Sequence, residues 1–176
     1  ETLAETGHQH DTLVVFAGDN GLAVGQHGLM GKQNLYEHSQ RVPLMFWGSC
    51  IPKGRSEALV YLFDVYPTVS ELLSVPLPEG VDGRSLVPII YGKTKGVRDS
   101  VVGAYRQFQR SVRTETHKYI RYHVGEDIHE QLFDIQSDPW ETRNLADEPS
   151  AQEIKRQLQK RLDDDRRELG DPVTEF

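Results

Sequence analysis

The stretch that decides the fold is LVVFAGDNGLAVGQHGLMGKQNLYEHSQRVP, residues 13–43. It opens with an unbroken run of apolar, β-branched and aromatic residues, 13–17, which predicts a strand buried on both faces. Asp19 and Asn20 follow that run, between two glycines. Ligands of open α/β sheets gather beyond the carboxyl ends of the strands. We therefore expect the two side chains to stand at a functional site, at the end of a central strand.

A glycine-rich loop follows Asn20 and ends on Lys32, and residues 42–47 predict a second strand. Two side-chain oxygens and one ammonium group suit an oxyanion bound to a hard metal ion. A plain turn is the alternative, because Asn-Gly between apolar segments is a strong hairpin signal. Against the turn, residues 22–26 do not alternate in polarity, and no partner strand follows within hairpin distance.

Five motifs of this sequence, in order, resemble the second half of the type I sulfatases of the alkaline phosphatase superfamily. Together they extend over most of the chain. They are GDNG to LYEHSQRVPL (18–44), DVYPT (64–68), VDGRSL (81–86), RTETHKYIR (113–121) and LFDIQSDPWETRNLA (132–146).

The resemblance implies a role for each residue of the loop. Asp19 and Asn20 match the second pair of calcium ligands of the family, and Lys32 matches its sulfate-contacting lysine. The charges agree with these roles, because a hard dication and an ammonium stabilise negative charge that grows on a sulfate ester as it is cleaved. His27 has two readings that we weigh equally, one as a residue lining the substrate pocket and one as a loop-packing residue.

The catalytic nucleophile of this family is a formylglycine made from the cysteine of a C-x-P-x-R motif. Cys50 begins a similar sequence, but Gly54 stands where the motif has arginine, and Arg55 comes one residue late. We interpret Cys50 as a loop residue. By resemblance, the nucleophile and the first pair of calcium ligands lie upstream of Glu1, so we expect residues 1–176 alone to be inactive.

The predicted fold class is α/β, in two parts. Residues 1–96 are predicted to form part of an alkaline-phosphatase-like mixed sheet flanked by helices. Residues 97–176 are predicted to form a small α+β subdomain, because charged side chains number 17 before the boundary and 30 after it. That subdomain has four predicted antiparallel strands, 101–105, 110–114, 118–122 and 131–135, and a carboxyl-terminal helix. Ser150 and Glu153 predict a capping box for the helix, and Gly170 predicts its end.

Three further side chains are predicted to be structural. Asp64 is predicted to be the N-cap of a helix. Lys118, with Arg113 and Arg121, is interpreted as part of a solvated basic face, because exposed sheet faces often carry such charges. Trp140 is predicted to pack the turn at residues 138–142 onto the sheet.

Composition limits the partners. The net charge of −7 argues against a nucleic acid, and the absence of an apolar run of about 18 residues argues against a membrane span. By resemblance, the partner is a sulfate ester such as a sulfated carbohydrate, and the compartment is periplasmic or extracellular. An unpaired edge of the first sheet is expected to favour self-association. The alternatives are a phosphoester or phosphonate hydrolase on the same scaffold, and a non-catalytic binding module.

Overall fold

The computed structural model describes residues 1–173, which divide into two compact units. The first unit comprises residues 1–19 and 42–99, and the second comprises residues 20–41 together with the chain from Ser100 onward. Residues 20–41 thus group with the carboxyl-terminal part, and the predicted domain boundary between residues 96 and 97 stays a prediction. The last three residues of the predicted subdomain, 174–176, lie outside the described residues.

The regular elements follow one another in this order along the chain: α1 (Thr2–Glu5), β1 (Val14–Ala17), β2 (Ala23–Val24), β3 (Met30–Gly31), α2 (Glu37–Gln40), β4 (Leu44–Trp47), α3 (Val65–Leu72), α4 (Val87–Ile90), β5 (Ser100–Tyr105), β6 (Gln109–Thr114), β7 (His117–Val124), β8 (Asp127–Asp134) and α5 (Gln152–Glu168). Short 3₁₀ turns cover Gln26–Gly28, Leu62–Asp64 and Pro149–Ala151.

In the first unit, β1 pairs antiparallel with β4, and Val14 lies opposite Trp47. The prediction that β1 is a central strand buried on both faces is wrong for this chain. Among residues 1–173, β1 pairs with β4 alone, and Phe16 is 55% exposed. A continuous apolar run indicates a strand that can be buried on both faces. Whether it is buried depends on which other elements cover those faces.

Asp64 holds the first unit together beside α3. Its carboxylate accepts hydrogen bonds from the backbone N–H groups of Tyr61 (2.7 Å) and Arg84 (2.9 Å), and from Arg98 Nη2 (2.8 Å). Asp64 occupies the predicted N-cap position of α3, but its side chain does not cap that helix. Arg98 Nη1 donates to the same carboxylate. The carboxylate is fully buried, so these donors stabilise a charge that burial alone would make costly.

The second unit is built on a four-stranded antiparallel meander in the order β5–β6–β7–β8. The four predicted strands are confirmed, and so is the carboxyl-terminal helix. Because successive side chains of a strand point to opposite faces, β7 supplies both cores of this unit. Tyr119 packs with Leu158 and Leu162 of α5, whereas Ile120 packs with Leu35 of the 20–41 segment.

Helix α5 buries a narrow stripe against the sheet, as its i, i+4, i+8 spacing predicts. Leu158 is 6% exposed and Leu162 is 1% exposed. The predicted capping box is wrong: Ala151 is the N-cap, and no side chain caps the helix start. Gly170, at a φ of 66°, follows the helix end as predicted. Among residues 1–173, no helix combines the length and the apolar character needed to cross a bilayer.

Trp140 lies on the surface of the second unit, in the turn at residues 138–142. It is 72% exposed, so the prediction that it packs this turn onto the sheet is wrong. The turn is held instead by the carboxylate of Asp138, which accepts hydrogen bonds from the Arg143 N–H (2.8 Å) and the Thr142 hydroxyl (3.0 Å).

Candidate functional site

Asn20 and Lys32 come together at the start of the second unit. Lys32 Nζ donates a hydrogen bond of 2.8 Å to Asn20 Oδ1, although the two residues are 12 apart in the sequence. The connection runs through a short hairpin in which β2 pairs with β3, Ala23 opposite Gly31. Both side chains are exposed, so the ammonium and the amide oxygen face solvent at one point of the surface.

Gly21 explains how the chain leaves Asn20. Its N–H donates to the carbonyl oxygen of Ser39 at 2.9 Å, which ties the start of the loop to α2. A Cβ at this position would lie 1.9 Å from the carbonyl oxygen of His38, where no side chain fits. The Asn20-Gly21 pair is therefore fixed by close backbone packing, and the hairpin that follows begins only at Ala23.

Asp19 is the last residue of the amino-terminal segment of the first unit, two residues after the end of β1. Its side chain is exposed. The chain passes from one unit to the other between Asp19 and Asn20. The roles given to Asp19, Asn20 and Lys32 from the sequence stay predictions.

His27 lies in the loop between β2 and β3, in a left-handed conformation with a φ of 53°. Its ring stacks on Tyr36 at 4.0 Å between centroids, with 3° between the planes. Its Nε2 lies 3.1 Å from the carbonyl oxygen of Trp140, so the tautomer protonated at Nε2 donates there. The loop-packing role is thus visible in the structure. The pocket-lining role stays a prediction.

The ring of His38 packs against both of these rings, with its centroid 5.6 Å from that of Tyr36 and 5.6 Å from that of His27. Burial lowers the pKa of His38, and the neighbouring His27 and Lys118 lower it further. Among the described residues, the buried atoms His38 Nε2 and Ser39 Oγ have no hydrogen-bond partner. Helix α2 therefore carries an imidazole nitrogen and a hydroxyl oxygen that make no hydrogen bond within residues 1–173.

Glu37 of helix α2 belongs to a buried ion cluster, which we name the Lys118 cluster: Lys118, Glu37 and Glu141. Lys118 Nζ donates to Glu37 Oε1 at 3.0 Å and lies 3.2 Å from Glu141 Oε1. The backbone N–H of Glu37 donates to Glu141 Oε2 at 2.7 Å. The Lys118 side chain is 1% exposed, so its interpretation as part of a solvated basic face is wrong.

The two carboxyl groups of the Lys118 cluster titrate in opposite directions. Burial raises the pKa of Glu37, but Lys118 and Arg113 outweigh it, and the net shift is downward. For Glu141 burial prevails over Lys118, and the pKa is raised. Arg113 Nε lies 3.5 Å from Glu37 Oε2, and Arg41 also lowers the pKa of Glu37, so Glu37 has cationic neighbours in addition to the shared Lys118.

The Lys118 cluster was missed in the sequence because Glu37 lies 81 residues from Lys118 and 104 residues from Glu141. Alternation along β7 does carry a usable signal. Lys118 and Ile120 lie on the same face of the sheet, because side chains two residues apart in a strand point the same way. Ile120 is an apolar residue with a high propensity for β-strands. A lysine beside a core isoleucine predicts a buried cation with acidic partners, although it does not identify them.

The donor chemistry of Asn20 fits a hard cation. Carboxylate and carboxamide oxygens are the groups that Ca²⁺ takes in proteins, and Asn20 Oδ1 already faces the positive charge of Lys32. Asp19 offers a carboxylate next to it in the sequence. Among residues 1–173, no group of three or more His, Cys, Asp or Glu side chains is arranged to hold a metal.

Comparison with known proteins identifies the class to which this arrangement belongs. The family model for N-sulphoglucosamine sulphohydrolase, C-terminal, matches residues 25–168. The chain belongs to that family of sulfatase carboxyl-terminal regions. The match includes His27, Lys32 and the Lys118 cluster, whereas Asp19 and Asn20 precede it.

Curated relatives agree with the family. The chain is 32% identical over 177 residues to arylsulfatase K of Xenopus laevis, covering 92% of this chain and 33% of the relative. It is 36% identical over 156 residues to choline-sulfatase of Rhizobium meliloti (strain 1021), covering 85% of this chain and 30% of the relative. The chain thus spans about a third of the length of the curated relatives that it matches.

Solved structures share the fold. BT4656, solved in complex with its substrate D-glucosamine-2-N,6-O-disulfate, superposes with a TM-score of 0.88 at 23% identity, over 99% of this chain and 38% of that one. The phosphonate monoester hydrolase of Agrobacterium radiobacter superposes with a TM-score of 0.78 at 23% identity, over 91% and 36%. The predicted fold class, part of an alkaline-phosphatase-like α/β fold, is confirmed.

Proposed function

We propose that this chain is the carboxyl-terminal part of a sulfatase that hydrolyses sulfate monoesters. One observation carries the proposal, the 2.8 Å contact between Lys32 Nζ and Asn20 Oδ1. In this contact an ammonium lies beside the amide oxygen that, by the family resemblance, would bind calcium. The chain belongs to a family of sulfatase carboxyl-terminal regions. An anionic ester bound at this point would meet positive charge from the protein directly.

Each residue has a distinct part in the proposal. Asp19 and Asn20 supply half of the ligands of a calcium site, and the bound ion would neutralise charge on the sulfate oxygens. Lys32 moves from Asn20 Oδ1 to a sulfate oxygen and remains an aimed point charge as negative charge develops on the ester. His27 lines the approach to Lys32. The remaining ligands and the formylglycine nucleophile come from outside residues 1–176, so the chain alone does not turn over substrate.

The alternative on the same scaffold is hydrolysis of a phosphoester or phosphonate. The structural neighbour from Agrobacterium radiobacter supports it at the level of fold. Lys32 and a hard cation suit a phosphoryl group as well as a sulfuryl group. The curated relatives, which have higher identity, are a choline-sulfatase and arylsulfatases. For this reason we propose a sulfate ester as the substrate.

The test compares substrates in a longer protein that carries residues 1–176 as its carboxyl-terminal part. We expect turnover of 4-nitrophenyl sulfate well above that of a phenyl phosphonate ester, and loss of both on chelation of calcium. Preference for the phosphonate would replace the proposal by its alternative. Absence of both activities, in a protein with a confirmed formylglycine, would leave the binding module as the function.

A further inference from the structure

The β2–β3 hairpin, residues 23–31, leads directly into Lys32 and has few contacts of its own. Its two strands pair through two residues each. Val24 is 65% exposed and Met30, its partner across the hairpin, is 77% exposed, so this pair adds nothing to a buried core. An isolated two-stranded hairpin is marginally stable in water. The position of Lys32 therefore depends on contacts that hold the hairpin from outside.

The loop of the hairpin is held by Tyr36 and Trp140. The His27 ring stacks on Tyr36, with 4.0 Å between the centroids, and His27 Nε2 lies 3.1 Å from the carbonyl oxygen of Trp140. Tyr36 is itself fixed, because it is 7% exposed and its hydroxyl donates to Gln131 Oε1 at 3.0 Å. These contacts join the hairpin to the meander and to the turn at residues 138–142.

Glu141 sets the direction of the Trp140 carbonyl group. The peptide unit that contains this carbonyl is planar, so it turns as a whole with the φ of the residue that follows. That φ is 56° at Glu141, in the left-handed region that residues with a side chain seldom adopt. A return of Glu141 to the ordinary negative range would rotate the peptide unit by about 100° or more and turn the carbonyl oxygen away from His27.

Buried charge holds Glu141 in this conformation. Its side chain is 1% exposed, and its carboxylate accepts the Glu37 N–H at 2.7 Å and lies 3.2 Å from Lys118 Nζ. Strained backbone persists where its surroundings over-determine it, and such residues are concentrated at active sites. Glu141 follows Trp140 in the chain, and Glu37 follows Tyr36. The Lys118 cluster therefore lies next to both supports of the hairpin.

We propose that Glu141 is a positioning residue for Lys32. Through the Trp140 carbonyl it fixes the His27 loop, and the fixed loop keeps the Lys32 ammonium in place for a sulfate oxygen. This inference rests on the proposed function and adds to it a residue that acts on Lys32 from a distance. A group aimed at a reacting centre loses much of its effect when it is displaced by about 1 Å. The Lys118 cluster thus contributes to the rate as well as to stability.

The alternative is that the Lys118 cluster only stabilises the fold, and a double-mutant cycle separates the two roles. The cycle measures kcat for 4-nitrophenyl sulfate in the longer protein that carries residues 1–176. His27→Phe keeps a ring that can stack on Tyr36 and removes the donor at Nε2. We expect Glu141→Ala and His27→Phe each to lower kcat by about 10–10². The double variant should lower it no further, because both substitutions break the same link. A double variant whose loss equals the product of the two single losses would overturn the proposal.

Amide hydrogen exchange measures the same link without reference to activity. In the same protein, we expect Glu141→Ala and His27→Phe to accelerate exchange in residues 23–31, as followed by mass spectrometry. Lys155→Met is the matched control, because it breaks another part-buried ion pair of this unit, between α5 and Glu130 of β8 at 2.7 Å. The control should leave kcat and the exchange of residues 23–31 at wild-type values. Equal acceleration by Lys155→Met and Glu141→Ala would assign the effect to a general loss of stability and overturn the proposal.

His27→Phe keeps the test decisive where Glu141→Ala does not fold, because His27 is exposed and lies outside the Lys118 cluster. Wild-type exchange of residues 23–31 in His27→Phe would by itself overturn the positioning link. Lys32→Ala separates this inference from the proposed function. If Lys32→Ala keeps wild-type kcat while Glu141→Ala accelerates exchange in residues 23–31, the hairpin is positioned as described and the proposed sulfate contact of Lys32 is wrong.

Discussion

Lys118 Nζ lies 3.0 Å from Glu37 Oε1 across 81 residues of sequence, and it also neutralises Glu141. We expect Lys118→Met to lower the free energy of unfolding by about 3–5 kcal/mol, because it leaves two buried carboxylates without their shared cation. Urea unfolding measures the change. Lys160→Met, at an exposed ion pair with Asp164, should cost less than about 1 kcal/mol. Equal effects of the two substitutions would show that the Lys118 cluster is not a structural unit.

Gly21 provides a second test, of the loop that begins after Asn20. Gly21→Ala places a methyl group 1.9 Å from the His38 carbonyl oxygen, and backbone atoms must move to admit it. We expect a loss of at least about 1–3 kcal/mol in stability, the usual cost of forcing atoms into a packed site. Gly54→Ala is the control, since a Cβ there meets nothing within 4 Å. The measurement is the melting temperature of each variant. Equal melting temperatures for Gly21→Ala and Gly54→Ala would contradict the close approach of residue 21 to the His38 carbonyl oxygen.

Lys32→Ala tests the proposed oxyanion contact in the longer, active protein. Removal of one aimed charge should lower turnover of a sulfate ester by about 10²–10³. Folding should be unaffected, because the Lys32 side chain is exposed. Lys53→Ala removes another exposed lysine, from a different loop, and should leave kcat within error. A Lys32→Ala enzyme with wild-type kcat would exclude Lys32 from the site.

Asp171 makes the stability of the second unit depend on pH. Hydrogen bonds from Arg110 lower the pKa of Asp171, with help from Arg166 and against burial. A carboxyl group whose folded pKa is depressed stabilises the protein above its unfolded pKa of about 3.9, and the stabilisation is lost as pH falls through the folded value. We expect Asp171→Asn to cost about 1–2 kcal/mol near neutral pH.

The measurement for Asp171 is urea unfolding at several pH values. The difference between wild type and Asp171→Asn should shrink as the pH falls below about 4, because the unfolded wild-type chain then takes up a proton at Asp171 that the folded state does not. Glu126→Gln, at an exposed turn residue, is the matched control and should unfold like wild type throughout. A constant difference at every pH would assign the effect of Asp171→Asn to packing instead of charge.

Local patterns in the sequence predicted the elements that depend on local chemistry. The alternation in residues 101–135 predicted four strands to within a few residues, and the 154–158–162 spacing predicted the buried stripe of α5. The contact between Lys32 and Asn20 joins residues 12 apart in the sequence, a separation that a short hairpin and the four-carbon stem of lysine can bridge. Such features can be predicted because they depend only on residues close together in the sequence or on the length of one side chain.

Three of the failures concern burial, which depends on the elements that pack around a residue as well as on its neighbours in the chain. Lys118 was interpreted as solvated because Glu37 and Glu141 are not its neighbours in the chain. Trp140 was predicted to pack inward because a large apolar residue usually does. Instead, Trp140 is 72% exposed and the next residue, Glu141, is buried. Phe16 was predicted to be buried from its apolar neighbours alone, and its exposure depends on which elements cover β1.

The grouping of residues 20–41 with the chain from Ser100 onward sets an order of events during synthesis. Leu35 and Tyr36 reach their final neighbours, Ile120 and Phe133, only after residues 42–99 and most of the meander have left the ribosome. Contacts between such remote segments close a long loop, which slows folding. A nascent chain stalled before residue 118 should therefore leave the Lys32 loop open to proteases, and release past residue 141 should protect it.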